Sequence, residues 1–465
     1  MEGGFSKSLL MIKEDGTEVI AKLPFSIAGP TKYLTASEAA VLKYLHDHTE
    51  VPAPKILAWN ADSSNPVGAE YIIMEKAPGC QLVKKWGEME DYSHIIFIKN
   101  LCRIEAELAA IALPANGSLY LRESMKDCDK HEPLAPEMDP FGRFCIGPSC
   151  ERAWFGDGEA ESVQARFDRG PWLTLSAFGV AIAEREITRI KQNPKAAVSY
   201  GPPRGSVQEQ LTVLEMAKVV FSRMDPQSLP GCLECPTLWH TDLHMGNIYV
   251  SDKDPTQIVS LIDWKSIVAS PLFYQVRFPA VVRIDENYEL GTEVPTLPHN
   301  INQIDADDEE IARFKHKQIM MGKTYEAASG LKNKNIYKAL QMNPFFRQLF
   351  VRCGKAWEDG VVPLRACLIA IAETWDESGL SGDCPLKFNK DDIAKHQQDF
   401  EEYRDYHKIH ELAREYLDTD EDGWIAPDDD FEMKQQRNKE LLGLLIAHCA
   451  EYGKSAGEMR NIWPY

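Results

Sequence analysis

The chain has 465 residues and carries 51 Lys and Arg against 71 Asp and Glu, a formal net charge of −20. Hydrophobic residues at 44% and charged residues at 26% are the balance of a globular chain, so wholesale disorder is excluded. The acidic surplus argues against a nucleic-acid partner or an anionic lipid surface, and no run of about 18 apolar residues marks a transmembrane segment.

The N-terminus, Met1-Glu2-Gly3-Gly4-Phe5, lacks both the charged and apolar regions of a secretory signal and the Arg-rich pattern of a presequence. It reads as that of an intracellular, cytoplasmic protein. Eleven scattered cysteines read as reduced thiols rather than a disulfide framework. Zinc at Cys232 and Cys235 would need two further ligands, and only Cys145 and Cys150 offer themselves, so buried or incidental thiols are expected.

From 5 to 23 the pattern is strand, turn, strand. Leu9 and Met11, then Val19, Ala21 and Leu23, alternate with more polar positions about Asp15-Gly16, a strong hairpin dipeptide. A loop over 24–30 leads to a helix from Ser37, with Ala40, Val41, Tyr44 and Leu45 along one face. Short strands near 55–59 and 69–75 follow, the second ending at Lys76-Ala77-Pro78-Gly79. This first part reads as a small sheet with one helix. Helices then dominate, over 95–111, 207–224, 310–325, 363–373, 393–417 and 432–450, with one β interruption at 247–250 and 257–262. Residues 120–206, rich in Gly, Pro and charge, read as an insertion of loops and a few short elements.

The chemistry concentrates in that interruption. A loop presents His240-Thr241-Asp242, and Asn247 follows at the mouth of a strand; a second strand ends at Asp263. Phosphoryl transfer from ATP needs an oxygen base near the acceptor hydroxyl and hard oxygen ligands for Mg²⁺. Asp242 suits the first task, Asn247 and Asp263 the second, and His240 is placed to brace the loop.

The spacing His-x-Asp-x-x-x-x-Asn followed by a further Asp resembles protein-kinase-like phosphotransferases. The form His240-x-Asp242-Leu243-His244-x-Gly246-Asn247, with Ile262-Asp263-Trp264, is similar to their aminoglycoside phosphotransferase and choline kinase branch. The resemblance implies an α+β, bilobal, protein-kinase-like fold. Its antiparallel nucleotide lobe would span 1–77, and a helical lobe would span 78–465 with a catalytic loop at 238–264. It implies ATP and Mg²⁺ as cofactors, a small-molecule acceptor, a strand Lys paired with a helix Glu to hold the α- and β-phosphates, with Lys22 and Glu38 standing in the right order, and a hinge at Glu75, Lys76 and Ala77 facing the adenine. Gly4, Phe5 and Ser6 would be the phosphate-covering loop, so the sheet is expected to lack its first strand. Asp15–Pro24, Thr35–Glu38, Phe144–Ser149 and Asp168–Trp172 are similar to a fungal group named for altered inheritance of mitochondria protein 9. That name implies a mitochondrial setting, with any presequence lying upstream. The alternative expectation is a nucleotide-binding scaffold without turnover.

One further signal stands apart. Asp418-Thr419-Asp420-Glu421-Asp422-Gly423-Trp424-Ile425 matches the first eight positions of a calcium-binding EF-hand loop. Asp429 at position 12 is too short and Pro427 intrudes, so the expected reading is an acidic connection between helices.

Overall fold

The computed structural model describes all residues except 1–3, 127–128, 156–166, 196–203, 225–231, 283, 285–287, 292, 298–300, 302–304, 378–379, 381, 420–429, 451–454 and 464–465. Most of the EF-hand-like loop lies outside the described residues, as does Gly3.

An antiparallel sheet opens the chain, in the order β1 (Ser6–Ile12), β2 (Glu18–Pro24), β4 (Tyr71–Glu75), β3 (Ile56–Asn60). The Asp15-Gly16 turn forms the first hairpin: Gly16 has φ +83°, and the Asp15 carboxylate accepts the Thr17 N–H at 2.8 Å. β1 is an edge strand, which departs from the expected alternation. Leu9 and Leu10, on opposite faces, are 42% and 53% exposed, so among the described residues neither face of the strand is closed over there.

α1 (Tyr33–His48) departs from expectation in the other direction. Its sequence suggests one buried face, yet Ala39, Ala40, Val41 and Leu42 are all buried. Ala39 packs with Ile72 and Met74 of β4, while Ala36 packs with Tyr120 and Cys145 of the insertion. The described part of the insertion thus carries more regular structure than its composition suggests. It holds a three-stranded sheet in the order β6 (Ser118–Leu121), β8 (Phe144–Gly147), β7 (Glu132–Pro133), laid against α1, and an 18-residue helix over Leu175–Gln192. β6 and β8 are buried at every residue, so they lack the alternation that announces a strand. Burial pushes the thiols of Cys145 and Cys150 up to about 12 and about 11, as befits inert core groups.

Past Ala77, β5 (Cys80–Gln81) pairs with β10 (Ile248–Val250), which follows the two-residue β9 (Pro236–Thr237) and pairs in turn with β11 (Ile258–Leu261). Gly79 makes that docking possible. It sits at φ +72°, and a Cβ there would lie 2.1 Å from the Val250 carbonyl oxygen. α2 (Asp91–Ala109) and the Ala306–Lys332 helix pack together, and one hydrophobic core runs from α1 through α2 to β10, β11 and Tyr325. The acidic run at 305–310 is a helix start: Asp305 accepts the N–H groups of Asp307 and Asp308.

The chain divides into two compact units, Met1–Ala181 with Asp225–Asn343, and Ile182–Met224 with Pro344–Tyr465. The first is α+β and bilobal in the protein-kinase manner, a small antiparallel sheet with α1 followed by a larger, mostly helical part. The second is helical, its elements including Val207–Phe221, Pro344–Gly354, Val362–Glu373, Lys390–Leu417 and Phe431–Ala450. Inside it Arg185 pairs with Glu186, both fully buried, at 2.8 Å.

Candidate active site

The loop between Leu238 and Ile248 is held by a set of short bonds. Asp242 O accepts the His244 N–H at 3.1 Å and the side-chain amide of Asn247 at 2.9 Å. Asn247 in turn gives its carbonyl to the Ile262 N–H at 3.0 Å, tying the loop to the end of β11. Gln81 of β5 donates to Gly246 O at 2.9 Å from the other side. The Asp242 carboxyl side chain stays exposed at the loop's tip.

His240 is 3% exposed, and its Nε2 lies 2.9 Å from Ile262 O. A carbonyl only accepts, so Nε2 carries the proton. Burial lowers the His240 pKa, outweighing the bond to Ile262 and the nearby carboxylates, and the ring is neutral. It meets Trp264 edge-on at 4.6 Å, and Trp264 donates its indole N–H to Leu261 O at 2.8 Å. The backbone on both sides of Asp263 is therefore braced, and Asp263 itself adopts φ +66°.

The Asp263 carboxylate meets the lysine of the small sheet. Lys22 Nζ donates to Glu38 Oε1 at 2.6 Å and to Asp263 Oδ1 at 2.8 Å. Three distant segments thus converge on one ammonium. Lys22 is 7% exposed, and burial alone would depress its pKa, but the carboxylates of Glu38 and Asp263 outweigh that and raise it. Burial likewise works against the charge on Asp263, yet Lys22 and Lys265 outweigh it and hold its pKa at about 2.

The other expected positions fall around this centre. Phe5 anchors the start of β1 by accepting the Phe25 N–H at 2.9 Å, and its ring lies 5.7 Å from the Lys265 ammonium; Gly4 has no atom within 4 Å of a notional Cβ. Ser6 opens β1. Glu75 ends β4 and donates its N–H to Lys55 O at 2.9 Å; Lys76 reaches back to Glu18 at 2.5 Å, and Ala77 is buried just past the strand.

Two residues unforeseen from sequence stand in the same arrangement. Lys265 binds Asp263 Oδ2. Glu70, from the β3–β4 connection, accepts the Lys32 N–H at 2.9 Å and the Thr35 hydroxyl at 2.6 Å. Lys32, the N-cap residue of α1, makes no side-chain cap of its own. Glu70 thus caps in trans the helix that carries Glu38. No local signal announces it, since its partners lie 35 and 38 residues away.

The model of the Phosphotransferase enzyme family (APH) matches residues 2–276, more than half of the chain. The chain belongs to that family. Its sequence is 29% identical, over all of its length and 95% of the relative's, to a subtelomeric hrmA-associated cluster protein of Aspergillus fumigatus. It is 24% identical to altered inheritance of mitochondria protein 9, mitochondrial, of Saccharomyces cerevisiae, over 88% of this chain and 69% of that one. Within the phosphotransferase family it therefore falls with the fungal group that its sequence resembles. Among solved structures it is similar to a putative fructosamine-3-kinase from Thermobifida fusca, with TM-score 0.36 and 14% identity over 79% of this chain and 91% of that one.

Proposed function

We propose that this phosphotransferase-family chain transfers the γ-phosphoryl group of ATP, with Mg²⁺, to a hydroxyl of a small-molecule acceptor. The observation that carries this reading is the meeting of Lys22, Glu38 and Asp263 beside the loop that holds Asp242 and Asn247.

The donor set suits a hard cation. The amide nitrogen of Asn247 is engaged by Asp242 O, which leaves the amide oxygen as the ligand atom, and Asp263 supplies a carboxylate. When bound, the metal neutralises charge on the phosphate oxygens. Lys22, kept in place by Glu38, holds the α- and β-phosphates. The Ala77 amide, just past β4, takes the adenine edge. Asp242, exposed at the loop tip, orients the acceptor hydroxyl and accepts its proton. Neutral His240 takes no proton in this scheme; it fixes the backbone next to Asp263. Catalysis then rests on position and charge rather than a covalent intermediate.

The many carboxylates of the chain favour a cationic acceptor such as an aminoalcohol or aminoglycoside. The mitochondrial label of the yeast relative makes mitochondria the compartment to test by fractionation. The decisive experiment is a metabolite-library screen for ATP-dependent phosphorylation. Acceptor-dependent ADP release that Asp242→Ala abolishes, with nucleotide binding retained, is expected. Thermal stabilisation by nucleotide with no transfer to any acceptor marks a nucleotide-binding scaffold instead.

A further inference from the structure

Each carboxylate oxygen of Asp263 has its own lysine. Lys22 takes Oδ1 at 2.8 Å and Lys265 takes Oδ2. The two are not equivalent. Lys22 is buried and keeps a second carboxylate, Glu38, so it remains paired if Asp263 turns away. Lys265 has no other ion pair among the described residues; its remaining charge-sensitive neighbour is the Phe5 ring at 5.7 Å. Its side chain is one-fifth exposed. The turn is built to bring it there, since Asp263 and Ser266, on either side of the Trp264-Lys265 pair, both have positive φ, +66° and +57°.

The charge count gives this lysine a task. Lys22 and Lys265 balance Glu38 and Asp263, leaving a neutral cluster within a chain of net charge −20. Without Lys265 the cluster carries one surplus negative charge, which attracts a divalent cation and repels a polyphosphate.

Resting on the phosphotransferase reading above, we propose that Lys265 is a phosphate-site cation that occupies one oxygen of Asp263 in the nucleotide-free protein and competes there with the metal. It holds the site neutral for an arriving polyphosphate and releases Asp263 when a divalent cation takes that oxygen.

The prediction has opposite signs in two binding measurements, neither of which uses turnover. In calorimetry with ADP and EDTA, Lys265→Ala binds ADP about fivefold more weakly than the parent. In Mn²⁺ titration of the nucleotide-free protein followed by electron paramagnetic resonance, the same variant binds the ion about fivefold more tightly. Lys265→Arg restores metal-free ADP binding. Thermal unfolding of each variant checks that it is folded, and Lys265→Gln, which keeps most of the side chain, replaces Lys265→Ala if that variant is not. Unchanged affinities, or shifts of the same sign in both arms, overturn the role of Lys265 alone. A parent protein that binds ADP neither with nor without metal overturns the phosphotransferase reading and this proposal with it.

Discussion

Lys22 and Arg185 are both buried cations paired with carboxylates, and they differ in what completes the pair. Around Arg185 the further contacts come from the same helical unit: Arg185 donates to Gly354 O at 2.8 Å, and Glu186 accepts the Trp357 N–H at 2.8 Å and the Arg189 guanidinium at 3.4 Å. The carboxylate of Glu186 has no exposed surface, so nothing from solvent reaches it. Around Lys22 the second partner is Asp263, 22% exposed and 241 residues away in sequence. One pair is closed on the chain and holds a helical unit together. The other has a reachable member, and that opening is what a ligand can use. Burial of charge therefore says little about function until the exposure of each partner is known.

The comparison can be broken most forcefully at Arg185. Arg185→Met takes the 2.8 Å partner from the buried Glu186 carboxylate, leaving it the longer Arg189 contact, and should lower stability by about 3–5 kcal/mol in urea unfolding. The folded protein should bind ADP as the parent does. Next in size, the paired change Lys22→Met with Glu38→Leu removes a buried charge pair together and should leave stability within about 1 kcal/mol of the parent. Calorimetry should nevertheless show ADP affinity lowered by about tenfold or more, a loss of at least ~1.4 kcal/mol. A stability loss as large as that of Arg185→Met would erase the distinction drawn here.

Glu105 sharpens the point, because it is a buried carboxyl with no cation beside it among the described residues. Burial pushes its pKa up to about 8, from an ordinary value of 4.5. The folded state therefore binds the proton more tightly than the unfolded one. Its contribution to stability is complete below about pH 4.5 and is lost as pH rises through about 8. Melting temperatures should fall more steeply over that range for the parent than for Glu105→Gln. The smallest effect is expected at Glu70. Glu70→Ala removes the trans cap of α1, at about 1 kcal/mol, and should raise the KM for ATP more than it lowers kcat.

Much of this centre is visible in the sequence because its residues lie on regular elements or at fixed spacing. His240, Asp242 and Asn247 fall within eight residues, and Lys22 and Glu38 sit on a hairpin strand and the helix that follows it. Lys265 gives no such signal, since a lysine two positions past an Asp is common and only the positive-φ turn brings it back. Glu70 is equally silent, as a loop carboxylate capping a helix earlier in the chain. The insertion sheet is hidden for a different reason. Its two longer strands, β6 and β8, are buried on both faces, and uniform burial leaves no period to read. The Leu175–Gln192 helix places Arg185 and Glu186 on its buried side, where a sequence reader looks for apolar residues.

The bond from the Asn247 amide to Asp242 O works as a caliper. One jaw is the proposed base and the other the proposed metal ligand, so their separation is set inside a single short loop, whatever molecule lies beyond it. On the phosphotransferase reading, acceptor preference can then drift over evolutionary time through changes in distant walls, with the reacting distance inherited unchanged.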